Sequence, residues 1–125
     1  MSEMVYLASP YSVGKKGAYG NGDLGKATGN MKTRRYKAAC KKAAELMDKG
    51  FIVFSPIAHS HSIEKEGMEG IRDGDFWLSQ DLEIVRRCDK VFVYKMEGWE
   101  LSRGIAREIA FAEKLGIPIE YLEDD

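Results

Sequence analysis

Short apolar runs alternate along the chain with longer segments in which apolar residues recur every three or four positions. The apolar runs lie at residues 4–9, 51–54, 91–94 and 117–121. Within most of these runs apolar residues follow one another and do not alternate with polar residues, which predicts strands that are buried on both faces. Helical spacing occurs in residues 31–49, 75–87 and 102–115. Gly50 and Gly116 stand where the first and last of these helices are expected to end.

The predicted elements follow one another in the order β-α-β-α-β-α-β. This order is typical of an α/β protein with helices on both faces of a parallel sheet. The expected fold is a three-layer, flavodoxin- or Rossmann-like, doubly wound parallel sheet of four or five strands. Ligands of such sheets bind beyond the carboxyl ends of the strands, so the residues after each strand are the first candidates for a site.

Two polar connections interrupt the pattern. Residues 13–30 hold six of the 13 glycines and predict a glycine-rich loop inserted into the domain, a candidate lid over the substrate. Residues 58–75 predict a polar connection with one short helical turn. This connection contains His59 and His61, and we expect a substrate contact or a hydrogen bond in the loop. A metal site is not expected there, because no third ligand has matching spacing.

Composition narrows the possible partners. The chain has 125 residues, which suits a single domain over residues 1–125. Its 19 Lys and Arg residues and 20 Asp and Glu residues give a net charge of −1, which argues against a nucleic-acid polymer as partner. No apolar run approaches membrane-spanning length, and the first residues lack the features of a signal peptide, so we expect a cytoplasmic protein with a small-molecule partner. Cys40 and Cys88 have no metal-ligand spacing, and no metal or other cofactor is expected.

Two acids fall within apolar helix stripes. The stripes are Trp77, Asp81, Ile84 and Cys88 in one helix and Ile105, Glu108, Ala112 and Leu115 in the next. A carboxylate on a core-facing stripe is desolvated, its pKa tends to rise, and acids placed in this way are often functional. The alternative is that both acids lie at the edge of their stripes and reach solvent. Because both acids are expected near the carboxyl ends of strands, we interpret the pair as functional.

Two carboxylates and a tyrosine hydroxyl suit the cleavage of a glycosidic bond. One carboxylate attacks or stabilises an oxocarbenium-like carbon, and the other handles protons. Tyr6 lies in the first predicted strand, where a buried phenol needs a hydrogen-bond partner. A core aromatic without a catalytic role is the alternative for Tyr6.

Several short motifs follow one another along the chain: Val5 to Pro10, Asp81-Leu82 followed by Asp89, Gly98 to Gly104, and then Glu108, Ala112 and Gly116-Ile117-Pro118. Their order resembles the nucleoside 2-deoxyribosyltransferase-like superfamily over nearly the whole chain, except for the glycine-rich insertion. The resemblance implies that Glu108 is the nucleophile or stabilises the glycosyl cation, that Tyr6 orients it, and that Asp81 acts on the leaving base. Asp89 matches a further acid that is frequent in the family, and a turn carboxylate is its alternative.

Ser102 separates two branches of that superfamily. The resemblance implies an Asp at this position in transferases that act on free nucleosides, and a Ser in hydrolases of nucleoside 5′-monophosphates. An Asp repels a phosphate, whereas a Ser hydroxyl donates a hydrogen bond to it. Ser102 and Gly104 also open a helix, where an anion is favoured, and Arg103 adds positive charge. An ordinary N-cap is the alternative for Ser102, and it is compatible with phosphate binding.

The expected activity is therefore hydrolysis of the N-glycosidic bond of a (2′-deoxy)nucleoside 5′-monophosphate. A deoxyribosyltransferase that exchanges bases, or a non-catalytic nucleotide sensor, is the alternative. The further expected substrate contacts are Ser9, Ser12, His59, Trp77 and Trp99. The resemblance also implies a homodimer or a larger homo-oligomer.

Overall fold

The computed structural model describes residues 2–11, 29–67 and 74–124. Its elements are β1 (Met4–Ala8), α1 (Gly29–Asp48), β2 (Ile52–Phe54), α2 (Pro56–Gly67), α3 (Gly74–Val85), β3 (Lys90–Tyr94), a 3₁₀ turn (Trp99–Leu101), α4 (Arg103–Leu115) and β4 (Ile119–Leu122). All four predicted strands and all three predicted long helices are present. The predicted loop at 13–30 lies outside the described residues except at its end, where Gly29 and Asn30 already belong to α1.

The four strands form one parallel sheet in the order β2-β1-β3-β4. The chain leaves β1 for β2 on one side and later returns to β3 on the other side of β1. The connections that follow β1 and β3 therefore diverge, which makes the space beyond their carboxyl ends the switch point of the sheet. The expected doubly wound α/β architecture is confirmed.

Alternate residues of β1 enter two different cores. Tyr6 and Ala8 pack on the face that is covered by α3 and α4. Val5 and Leu7 pack on the opposite face against α1. Because successive side chains of a strand point to opposite faces, a strand buried on both sides must be apolar throughout. The result is a three-layer molecule in which Tyr6 is a polar group inside the α3/α4 layer.

The second connection differs from its prediction. Instead of a polar loop with one turn, α2 is a helix of 12 residues. Pro56 occupies its first position, where the missing N–H of proline costs nothing, and the Ser55 hydroxyl accepts a hydrogen bond from the Ala58 N–H at 3.3 Å. The His61 ring stacks on Tyr36 of α1 at a centroid distance of 4.2 Å. A helix this polar has little periodic signal, and its contact with α1 appears only in three dimensions.

The last helix begins and ends as its sequence indicates. The Ser102 hydroxyl accepts a hydrogen bond from the Ile105 N–H at 3.3 Å, which makes Ser102 the N-cap of α4. Gly116 follows the helix in a left-handed conformation with φ 73°, and its N–H bonds to the Ala112 carbonyl. None of the helices in the described part of the chain is long and apolar enough to span a membrane.

Candidate active site

The centre of the site is a buried hydrogen bond between β1 and α4. Tyr6 is completely buried in the middle of β1, and its hydroxyl donates to Oε2 of Glu108. Glu108 lies in the second turn of α4, on the stripe with Ile105 and Ala112, and is only 5% exposed. The stripe turns this acid inward, toward the face of the sheet that carries Tyr6. The predicted pairing of the two residues is confirmed.

Asp81 reaches the same centre from α3. It is half-buried, and its charge acts on both Tyr6 and Glu108. Burial raises the pKa of Asp81 to about 7, and the Tyr6 hydroxyl opposes this rise. Asp81 and Glu108 therefore both act on the one phenol of Tyr6.

The three groups control one another's protonation. Burial raises the pKa of Glu108 to about 8; the hydrogen bond from Tyr6 opposes the rise, and the charge of Asp81 adds to it. Burial and the two neighbouring carboxylates raise the pKa of Tyr6 well above its ordinary value. Tyr6 therefore stays protonated at neutral pH. The two carboxyl groups titrate as a pair and share about one proton between pH 7 and 8. Such a pair can accept a proton at one oxygen and donate one at another.

A family model matches residues 3–124, and its description is "Domain of unknown function (DUF1937)". The chain belongs to the DUF1937 family. The matched residues include Tyr6, Asp81 and Glu108, so the whole centre lies within the DUF1937 domain. A comparison with curated proteins finds no match for the chain.

The N-terminus of α4 forms a second part of the candidate site. Ser102, Arg103 and Gly104 follow the 3₁₀ turn beyond the end of β3, at the carboxyl edge of the sheet. The Oγ atom of Ser102 is already an acceptor for Ile105, which leaves its O–H as a donor. Arg103 is exposed and pairs with Asp75 at the start of α3 at 3.6 Å. These residues lie on the same helix as Glu108, one to two turns closer to its positive end.

The end of β1 carries a buried polar group. Ser9 is 7% exposed, and its hydroxyl has no hydrogen-bond partner among the described residues. A buried donor without a partner costs free energy, so this hydroxyl is suited to meet a ligand at the carboxyl edge. The predicted contact of Ser12 lies outside the described residues.

The two histidines are on α2, not in a loop. His59 is exposed, with its ring 5.2 Å from that of Phe54. A hydrogen bond of 2.5 Å joins the Tyr11 hydroxyl and Nδ1 of His61. Residues two apart on a helix point to nearly opposite sides, so the two rings do not converge. Among the residues that the structure describes, no group of three His, Cys, Asp or Glu side chains is placed to hold a metal.

The two tryptophans have different surroundings. Trp77 precedes Asp81 by one turn of α3, and its indole N–H is buried without a partner among the described residues. Trp99 packs against the α3/α4 core with its ring 5.6 Å from that of Tyr121 on the edge strand β4. The structure shows Trp99 packed at that edge strand, and its expected contact with the substrate stays a prediction.

Asp89 lies at the amino ends of the strands, opposite the carboxyl ends where the candidate site is expected. It directly precedes β3, and its carboxylate accepts a hydrogen bond from the Met4 N–H at 2.9 Å. The Asp89 N–H in turn bonds to the Met4 carbonyl at 2.7 Å. These bonds join the starts of β1 and β3, so the alternative of a turn carboxylate is correct and the expected substrate contact is wrong.

Sequence reasoning missed Arg35. This residue of α1 is 7% exposed, and its guanidinium donates to the carbonyls of Tyr11 at 3.0 Å and Glu97 at 3.2 Å. It therefore ties together the segments that leave β1 and β3 at the switch point. A signal was available, because Arg35 interrupts the stripe formed with Ala39 and Ala43, as the two acids interrupt theirs.

Proposed function

We propose that this DUF1937 protein hydrolyses the N-glycosidic bond of a (2′-deoxy)nucleoside 5′-monophosphate. The observation that carries the proposal is the buried hydrogen bond from Tyr6 to Glu108, with Asp81 against the same hydroxyl. Three groups with raised pKa values that meet on one face of a doubly wound sheet are typical of an active site. The resemblance to the deoxyribosyltransferase-like superfamily supplies the reaction class.

In the proposed reaction, the C1′–N bond breaks and its electron pair stays on the departing base. Protonated Asp81 gives its proton to that base at the same time. The Glu108 carboxylate attacks C1′ or stabilises the cation that forms there. Water then adds to C1′ and yields the sugar 5-phosphate, and the ionised Asp81 takes up the proton that this water releases. Tyr6 holds the Glu108 carboxylate in place and remains protonated throughout.

This reaction needs the charge on Glu108 and the proton on Asp81. In the free protein Glu108 has the higher pKa, so it holds the last proton of the pair. Positive charge that develops at C1′ lowers the pKa of the nearby carboxylate, and the hydrogen bond from Tyr6 acts in the same direction. The arrangement with the proton on Asp81 and the charge on Glu108 is therefore the one that is favoured as the C1′–N bond begins to break.

The phosphate is assigned to the start of α4. Ser102 retains a free O–H donor, the first amides of a helix lack intrahelical acceptors, and Arg103 adds a cation at the same end. An Asp in place of Ser102 puts negative charge against the phosphate. We therefore expect Ser102→Asp to lower kcat/KM for monophosphates far more than for free nucleosides.

The test is to incubate the protein with a panel of nucleoside 5′-monophosphates and free nucleosides and to separate released bases by chromatography. We expect base release from monophosphates and its loss in Glu108→Gln. Glu113→Gln, on an exposed position of the same helix, is the matched control and should retain activity. Exchange of an added base without net hydrolysis would identify a transferase instead. Tight nucleotide binding without any turnover would identify a sensor, and both outcomes contradict the proposal.

We also propose that the enzyme acts in the cytoplasm as a homodimer or larger homo-oligomer, because the resemblance implies such an assembly. Light scattering of the purified protein tests the oligomeric state. A mass that corresponds to one chain at micromolar concentration would contradict it.

A further inference from the structure

The indole N–H of Trp77 is a buried donor that the fold leaves without an acceptor among the described residues. Indole has a single N–H and no acceptor atom, so this group can be satisfied only by an acceptor. Buried donors of native proteins are nearly always paired, and leaving one unpaired costs free energy. An unpaired N–H beside an active site therefore points to a ligand that supplies the acceptor.

The position of Trp77 shows which part of a ligand it meets. Trp77 and Asp81 are four residues apart on α3 and so lie on one face of the helix, one turn from each other. The helix ends beside the start of β3, so its first turns lie toward the carboxyl edge of the sheet, where ligands enter. Trp77 is therefore on the entry side of Asp81, the residue assigned to the leaving base.

We propose that Trp77 Nε1–H donates a hydrogen bond to the base of the substrate and selects a 6-oxopurine. The inference rests on the proposed function of this site, because it places the base against Asp81. Protonated Asp81 and Trp77 are two donors on one helix face, and they match a base edge with two adjacent acceptors. Guanine and hypoxanthine present N7 and O6 there, whereas adenine presents N7 and an amino group, which is a donor.

The two donors have different tasks. Asp81 transfers its proton to N7 as the C1′–N bond breaks, and the electron pair of that bond stays on the base. The Trp77 N–H remains on the indole and donates a hydrogen bond to O6. Adenine leaves this N–H facing the amino group at N6, so the donor stays unpaired and the complex is weaker.

The experiment uses the fact that the chain has only two tryptophans. Trp99→Phe leaves Trp77 as the sole fluorophore, and Trp77→Phe leaves Trp99, which packs against Tyr121. Each variant, checked for its fold by circular dichroism, is titrated with dGMP, dIMP and dAMP while tryptophan emission is recorded. Calorimetry of the same pairs gives Kd values that are independent of the fluorophore, and the same nucleotides are assayed for base release with wild type.

We expect the emission of Trp99→Phe to change on binding of dGMP and dIMP, and that of Trp77→Phe to stay constant. Wild type and Trp99→Phe should bind dGMP and dIMP about tenfold or more tightly than dAMP, and Trp77→Phe should reduce this ratio to about twofold or less. Equal binding of dAMP by wild type, or an unchanged ratio in Trp77→Phe, overturns the inference.

The two proposals fail in different ways. If the protein binds 6-oxopurine nucleotides preferentially through Trp77 but releases no base, the result supports the proposed base recognition and contradicts the proposed hydrolysis. Base release that is equal for all purines leaves the hydrolysis standing and contradicts the role of Trp77. Failure of every nucleotide to bind overturns both.

Discussion

Glu108 should make the stability of this protein depend steeply on pH. Its pKa is about 8 in the fold against an ordinary value of 4.5, and burial is the main cause. Between these values Glu108 is protonated in the folded protein and ionised in the unfolded chain. The folded state then binds more protons, so the free energy of unfolding falls as pH rises. Below pH 4.5 both states are protonated, and the contribution of Glu108 is constant.

The interval from 4.5 to about 8 gives the size of the effect. Each pH unit within it changes the free energy of unfolding by about 1.4 kcal/mol. Glu108 therefore destabilises the protein at pH 8 by roughly 4–5 kcal/mol relative to pH 4.5. Glu108→Gln removes the ionisation and keeps an oxygen that accepts the hydrogen bond from Tyr6. We expect the variant to match wild type near pH 5 and to exceed its stability by roughly 4 kcal/mol at pH 8.

Urea unfolding at constant salt, followed by far-ultraviolet circular dichroism from pH 5 to 8, measures both proteins. The contribution of Asp81 remains in each, so the difference between the two curves reports Glu108 and its coupling to Asp81. Glu113→Gln on the exposed side of α4 is the control and should run parallel to wild type. If Glu108→Gln also runs parallel to wild type over this range, the raised pKa of Glu108 is refuted.

Further predictions follow from the same contacts. If Asp81 and Glu108 must together hold one proton, a plot of kcat/KM against pH should be bell-shaped with its maximum between pH 7 and 8. Asp81→Asn should lower kcat and abolish the alkaline limb of this plot. A kcat/KM that does not change with pH would contradict the shared proton. Tyr6→Phe removes a charge-assisted hydrogen bond and should lower kcat about 10- to 100-fold in steady-state assays of base release; an unchanged kcat would exclude a role for the hydroxyl. Asp89→Asn weakens the bond to the Met4 N–H and should cost about 1 kcal/mol of stability in urea unfolding while kcat/KM stays unchanged; a large loss of kcat/KM would restore Asp89 to the site.

Local patterns predicted most of the secondary structure and the two acids. The strands of this sheet are buried on both faces, so their apolar runs are visible without any knowledge of partners. Asp81 and Glu108 were found because a charged residue on an apolar helix stripe contradicts the period of 3.6 residues around it. That signal depends only on neighbours within the same helix. Arg35 carried the same kind of signal on α1.

Contacts between distant residues required the tertiary structure. Tyr6 and Glu108 are 102 residues apart, and the resemblance paired them before the fold showed that β1 and α4 bring them together. The polar α2 is a helix because its first turn is capped and its side packs on α1, which periodicity does not reveal. Asp89 precedes a strand that does belong to the site, yet it lies at the other end of that strand and bonds to Met4.

The sequence by itself thus determined which residues have the right chemistry, because residue type and helical spacing are local properties. The tertiary structure decided which of them share a space and which polar atoms lack a partner, because both depend on how sheet and helices are stacked. The unpaired N–H of Trp77 is the clearest case. A tryptophan on a helix stripe predicts packing or stacking, and only the folded arrangement shows that its one donor is buried and unused.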